Sequence, residues 1–141
     1  MPPSEPARKY RIPLFPLPVV LFPTAAMPLH IFEPRYRRMV GRCLEFDRRF
    51  GLVYHDADLR GPFLFEEDRV GCVAEIESFQ PLPDGRSLLL ARGVERFRIV
   101  DGIESEEPYY EALVSPYPDR EPAPGLEARR RSSLELFRAV V

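Results

Sequence analysis

The sequence predicts a mainly β, α+β domain: a small barrel or curled sheet of short antiparallel strands, one inserted helix at about residues 34–46, and a C-terminal helix. Two periodicities predict it. From Phe50 onward apolar side chains recur at every second residue in short runs punctuated by Gly, Pro and Asp, as half-buried strands joined by tight turns require. Only after Glu33-Pro34 does a helical period of apolar residues stand out within the body of the chain. The third observation is size. With 141 residues, 45% of them hydrophobic, the chain holds one domain with a core of its own, despite 17 prolines.

Residues 1–8 read as a disordered tail, and residues 9–116 as the folded body. Its first stretch, KYRIPLFPLPVVLFP, alternates proline with large apolar side chains. Proline donates nothing to a strand ladder, so the expectation is a short edge strand around Tyr10–Phe15. An extended arm would follow, lying across the body and anchored by Phe15, Leu17, Val20 and Phe22. Pro28–Phe32 reads as another short strand.

Pro34 suits the first position of a helix, where its missing N–H would go unpaired in any case. Tyr36, Met39, Val40, Cys43 and Leu44 then fall on one helical face, with Arg35, Arg37, Arg38, Arg42 and Glu45 on the other. Residues 50–54 make a strand, and residues 69–91 a β-hairpin turning at Pro83-Asp84-Gly85-Arg86. In its first arm Val70, Cys72, Ala74 and Ile76 share a face, and Glu75 and Glu77 the other. Gly93 permits a bend before a strand at Glu95–Val100, Asp101-Gly102 turns the chain, and Tyr109–Ser115 closes the sheet. If Glu75 and Glu77 lie across from Arg96 and Arg98 of the next strand, they add cross-strand pairs of about a few tenths of a kcal/mol each. Residues 55–68 form a long connection in which Phe63 and Phe65 are either a lid on the core or an exposed contact patch. Residues 117–125 read as a proline-rich linker, and 126–141 as the start of a helical segment with Leu134, Phe137, Val140 and Val141 on one side.

Composition excludes several chemistries. Twenty Lys+Arg against 22 Asp+Glu give a net charge of -2, without the basic excess that nucleic-acid binding by counterion release calls for. Lys9 is the only lysine, so no G-x-x-x-x-G-K-[ST] phosphate loop exists, and a Ser–Lys dyad could use Lys9 alone. Cys43 and Cys72 form no C-x-x-C pair, and His30 and His55 have no partner histidine at helical spacing, so neither a disulfide framework, a metal site nor a cofactor is expected. Prolines interrupt the most apolar stretch, which leaves no membrane span, and MPPSEPARKY lacks the layout of a secretory signal. The expectation is a cytoplasmic protein.

Three stretches together resemble the amino-terminal substrate-binding domain of ATP-dependent Lon proteases: IPLFPLPVVLF, PLHIFEPRY, and the segment from Arg69 to Val114 with its RVGCVAEIESFQPLPDG, LLLARGVERFRIV and PYYEALV. The resemblance covers roughly residues 10–116 and implies a PUA-like pseudo-barrel with an inserted helix. A helical bundle follows the barrel in that family, and Leu126–Val141 would be its first helix. The segments responsible for ATPase and peptidase chemistry in Lon proteases have no counterpart in these motifs. What the resemblance implies is a stand-alone, non-catalytic module, of the kind also found in cereblon-like substrate receptors, whose partners are unfolded or damaged polypeptides and a protease.

The shared motifs look structural. Pro28, Glu33, Pro34 and Arg35 fit as fold-makers, Glu33 as a helix cap and Arg35 as partner to an acid. The binding residues are therefore chosen on physical grounds: Leu17, Val20 and Phe22 of the arm, Phe63 and Phe65 of the long loop, or an open strand edge that adds a client strand. The alternative function is a PUA-like RNA-binding domain working through the Arg35–Arg42 helix face. An enzyme using His55, Asp56 and Asp58 is the third reading, against which a simple turn accounts for the same residues.

Overall fold

The computed structural model describes residues 8–66 and 68–117. Apart from Arg8 and Tyr117, the expected tail at 1–8, linker at 117–125 and helix at 126–141 lie outside the described residues. The elements run β1 (Tyr10–Leu17), β2 (Ala26–Ile31), α1 (Pro34–Glu45), β3 (Arg49–Tyr54), α2 (Ala57–Arg60), β4 (Val70–Pro81), β5 (Ser87–Ile103) and β6 (Tyr110–Pro116). The sheet order is β2-β5-β4-β3-β1-β6, and a further pairing of β5 with β6 closes five of the strands into a ring. All pairs are antiparallel except β1 with β3. This is the small barrel with an inserted helix that the sequence predicts.

β1, β3 and the first half of β4 bury side chains on both faces, and each face feeds a different core. Inside the barrel lie Ile12, Leu14, Val53, Val73, Phe97, Ile99, Ala112 and Val114. On the other face Phe15, Phe50, Leu52, Cys72, Ala74 and Ile76 pack beneath Tyr36, Met39, Val40 and Cys43 of α1. Phe97 fills the barrel's middle. A Cβ on Gly51 would lie 2.8 Å from its ring and one on Gly71 2.5 Å, so the glycines leave the space that the phenyl ring occupies.

Five expectations need correction. β1 is not an edge strand: Tyr10–Leu14 pair with β6 and Leu14–Leu17 with β3. The two ladders overlap only at Leu14, so Pro13 and Pro16 each stand where the strand has one neighbour, and a missing donor is tolerated. The arm after β1 keeps the parity of Phe15 and Leu17 and does not shift it to Val20 and Phe22: Val19 and Leu21 are buried, Val20 is exposed, and Leu17 and Phe22 are half-buried. β5 runs unbroken through Gly93 and Asp101-Gly102, absorbing irregularity as register shifts opposite β4 and β6 instead of a bend and a turn. The register of β4 with β5 puts Arg96 opposite Cys72 and Arg98 opposite Val70, so neither meets Glu75 or Glu77. Glu75 faces Arg49 at 3.4 Å and Glu77 faces Arg92 at 2.7 Å, while Arg98 pairs with Asp68 at 2.7 Å. On the first arm of the hairpin Val70 is exposed, leaving Cys72, Ala74 and Ile76 as its buried face.

Gly93 has a reason other than bending. Pro23 bridges to it, Thr24 donates to its carbonyl at 2.9 Å, and a Cβ there would collide with the Phe22 carbonyl oxygen. That neighbour is backbone and yields little. Gly93→Ala is expected to cost about 2–3 kcal/mol, lowering the thermal midpoint by roughly 10 °C or more. Gly41→Ala, on the exposed side of α1 with nothing within 4 Å of the new methyl, should raise stability by up to about 1 kcal/mol. Circular-dichroism melts of both variants check this, and equal midpoints would contradict the packing described.

Candidate functional site

The connection from β3 to β4 is where apolar side chains reach the surface. His55 begins it, its backbone N–H donating to the Leu17 carbonyl at 2.7 Å. The Asp56 side chain accepts from the Asp58 N–H at 3.0 Å and so caps the single turn of α2. Gly61, at φ 74°, ends that turn in a conformation that a side chain would strain. Its carbonyl lies 2.7 Å from His55 Nε2, which fixes the imidazole inside the loop.

Both sequence alternatives for the two phenylalanines are realised, one by each ring. Phe63 is 6% exposed and belongs to the barrel core. It meets His55, Phe65 and Tyr110 edge-on, at centroid distances of 5.4, 5.5 and 5.0 Å. The Arg69 guanidinium stacks 5.1 Å above it and donates to the Tyr54 carbonyl. Phe63 is thus the lid. Phe65, 40% exposed, lies outside it against Tyr110, with neighbouring Leu64 exposed as well. The ring rests on Gly102, where a Cβ would come within 2.5 Å of it.

Phe65 and Tyr110 floor an open groove of about 470 Å³, walled by Ile103, Glu104, Glu107 and Arg35. Arg35 sits over the Tyr36 ring at 4.9 Å and the Tyr110 ring at 5.9 Å, and pairs with Glu33 at 3.1 Å. Glu33 occupies the N-cap position but makes no side-chain cap bond. Glu107 receives two hydrogen bonds from Arg38, at 2.7 and 3.1 Å, which hold its carboxyl below the usual range. The groove offers an aromatic floor with charges at its rim.

A second cleft, about 550 Å³, opens where β1 begins. Its floor is polar. Tyr10 donates to Glu95 at 3.3 Å, and burial, aided by that carboxylate, pushes its hydroxyl up to about 12. Arg11 pairs with Glu111, and Arg42 stacks 5.2 Å over the exposed ring of Phe46.

A third surface lies on the outer face of β2 and β5. Phe32, Leu88 and Leu90 are 55%, 42% and 36% exposed, beside exposed Pro28 and His30. The pairings Pro28↔Leu90 and His30↔Leu88 put them in one strip.

Of the predicted site residues, then, Phe65 and Val20 are exposed, Leu17 and Phe22 are half-buried, and Phe63 is enclosed. His55, Asp56 and Asp58 do not converge on a cleft; each makes bonds that fasten the loop. The arginine face of α1 is engaged at several points, Arg35 with Glu33, Arg38 with Glu107 and Arg37 with the Phe32 carbonyl. Sequence reasoning missed Tyr110 and the Phe32–Leu88–Leu90 strip. Tyr110 offered no signal beyond its alternation with Ala112. The run Leu88-Leu89-Leu90 did offer one, since an apolar residue at every position requires an apolar outer face.

Residues 11–141 match the protein family described as the ATP-dependent protease La (LON) substrate-binding domain. Lon protease 2 of Herpetosiphon aurantiacus is 32% identical over 138 residues, covering 96% of this chain and 17% of that protein. A LON peptidase N-terminal domain and RING finger protein of Schizosaccharomyces pombe is 37% identical over 103 residues, covering 64% of the chain and 21% of that protein. The chain thus spans about a fifth of the length of these relatives. Among solved structures, a Lon N-terminal domain protein from Xanthomonas campestris superposes with a TM-score of 0.64 at 30% identity, covering 91% of this chain and 75% of that one. The N-terminal domain of Mycobacterium avium complex Lon protease shares the fold, with a TM-score of 0.62 at 14% identity over 93% of this chain and 74% of that one.

The two phenylalanines make a stability test. Phe63→Ala should cost about 3–5 kcal/mol, as for a ring removed from a core, and Phe65→Ala about 1 kcal/mol, as for a ring already partly in water. Urea unfolding followed by circular dichroism reads both. Equal losses would contradict the division into lid and surface.

Proposed function

The chain belongs to the family of the ATP-dependent protease La (LON) substrate-binding domain, and from that premise we propose that it holds polypeptide substrates by their unfolded, apolar segments and performs no chemistry on them itself. Its family is a substrate-binding one, and the relatives that carry it include Lon proteases. The observation that carries the finer reading is Phe65. An aromatic ring left 40% exposed, held in place by Tyr110 and Gly102 and rimmed by Arg35 and Glu107, is what a site for an apolar side chain on a polar backbone needs. A folded client hides such side chains, whereas an unfolded one presents them, so the selectivity follows from burial. Leu64 and Val20 add exposed apolar area outside the groove. The further partner in this reading is a protease to which the held chain is passed.

The RNA-binding alternative draws no support from the helix. Phosphates would have to displace Glu33 from Arg35 and Glu107 from Arg38 before those guanidiniums became available.

The test is binding to a permanently unfolded protein, with its cysteines reduced and blocked, followed by fluorescence anisotropy beside its folded parent. The wild type is expected to bind the unfolded form and not the folded one. Phe65→Ala should weaken binding roughly tenfold, about the loss of one apolar anchor, while lowering the melting temperature by only about 5 °C. Indifference of the wild type to the client's folding state would overturn the reading.

A further inference from the structure

Ring closure leaves β2 with a neighbour on one side only, since β5 is its sole recorded partner among the described residues. The direction of its free groups can be worked out. Gly93 N–H donates to the Ala25 carbonyl at 2.8 Å, and in an antiparallel ladder bonded pairs recur at every second residue. Met27, Leu29 and Ile31 therefore bond toward β5, while Ala26, Pro28 and His30 turn their backbone groups outward. Two details agree. Pro28, with no N–H to give, sits at an outward position, and the next outward carbonyl, of Phe32, accepts from Arg37 Nε at 3.1 Å.

What lies beside that edge is apolar. Along β5 the outward face reads Arg86, Leu88, Leu90, Arg92, and along β2 and just beyond it Pro28, His30 and Phe32. His30 and Phe32 lie with ring centroids 5.5 Å apart. The strip is cationic at its ends. Arg37, Arg86 and Arg92 flank it, against two carboxylates, Asp84 at 2.5 Å from Arg86 and Glu77 at 2.7 Å from Arg92. β4 has a comparable free stretch beyond Ile76, but Ser78, Gln80 and Pro81 dominate it, as suits an edge protected from pairing.

We infer that β2 takes an extended segment of the client as an added strand, whose alternate apolar side chains lie on Leu88, Leu90 and Phe32 and whose acidic flanks meet the arginines. This rests on the polypeptide-binding reading above and specifies its place and mode. The occupant follows from the edge itself: outward carbonyls at Ala26, Pro28 and His30, about 6.8 Å apart, with N–H donors at Ala26 and His30, match a peptide main chain. Arg86 and Arg92 are already paired, and it is Arg37, with no carboxylate partner among the described residues, that favours an acidic flank at its end of the strip. Only Glu33 and Pro34 separate Phe32 from Arg35 of the aromatic groove, so a client leaving β2 passes near Phe65.

The test uses a synthetic peptide of alternating valine and threonine with two aspartates at each end, and two analogues. One is N-methylated on alternate residues along one strand edge, the other along the opposite edge. An added strand bonds through one edge alone, so one analogue should lose about tenfold or more in affinity and the other should bind like the parent. Replacing both Leu88 and Leu90 by Ser should weaken the parent peptide about tenfold, with the melting temperature measured alongside to confirm folding. If both analogues bind as the parent does, or both fail alike, strand addition is overturned. Should the unfolded client still bind in a Phe65-dependent way in that case, the polypeptide-binding reading survives. If the wild type binds neither client nor peptide, both fall.

Discussion

Enclosing Phe97 inside a five-stranded ring is the constraint on which the rest of the structure depends. One phenyl ring fills the barrel, and the two strands nearest to it must present glycine, at Gly51 and Gly71, where any side chain would strike it. Drawing the strands that close demands a β5 long enough to serve β2, β4 and β6 in turn. Closure also uses edges. β1, β3 and β6 each have neighbours on both sides, and β2 is left outside with one. The surface available to a client is what the closed ring does not consume.

An unpaired edge beside apolar side chains invites aggregation, and the sequence tempers that hazard without removing it. β2 is only six residues long, Pro28 deletes a donor from its middle, and Arg37 occupies the carbonyl at its end. These devices weaken indiscriminate pairing while leaving enough main chain to hold a segment of the right character. On the loop side the same division of labour holds. Phe63, His55 and Arg69 seal the barrel, and that seal lets Phe65 and Leu64 stay in water without costing the core its cover. The polar side chains beside that surface are occupied in holding the loop and the groove rim.

Much of the architecture was legible in the sequence. The helix at Pro34–Glu45, the hairpin with Gly85 at positive φ, and the mainly β body follow from periodicity and turn residues, because local backbone chemistry decides them. β1 was misjudged for a reason of range: whether a proline disrupts a ladder depends on which residues stand opposite, and the offset of the β3 and β6 ladders is a property of the closed ring. The arm failed by one residue of parity, since Val19 and Leu21 continue the inward alternation of Phe15 and Leu17 on to the same core, and the expected anchors had moved to Val20 and Phe22. Glu75 and Glu77 do not meet Arg96 and Arg98 because the register of the two strands puts those arginines opposite Cys72 and Val70, near the start of β4.

The site was legible only in part. That two phenylalanines in a loop mean either lid or contact is sequence logic, but assigning the roles needs the barrel mouth, which admits Phe63 and leaves Phe65 on Gly102. Tyr110 and Arg35 become walls of one groove because β6 and the start of α1 approach each other in space. The account is tested most directly by nuclear magnetic resonance, mapping amide shifts of the isotope-labelled chain as an unfolded, thiol-blocked protein is added. Changes gathered along Ala26–Phe32, Leu88–Leu90 and the Phe65–Tyr110 groove are the predicted result. Changes confined to the polar cleft of Tyr10, Arg11 and Glu95, or none at saturating client, would contradict it.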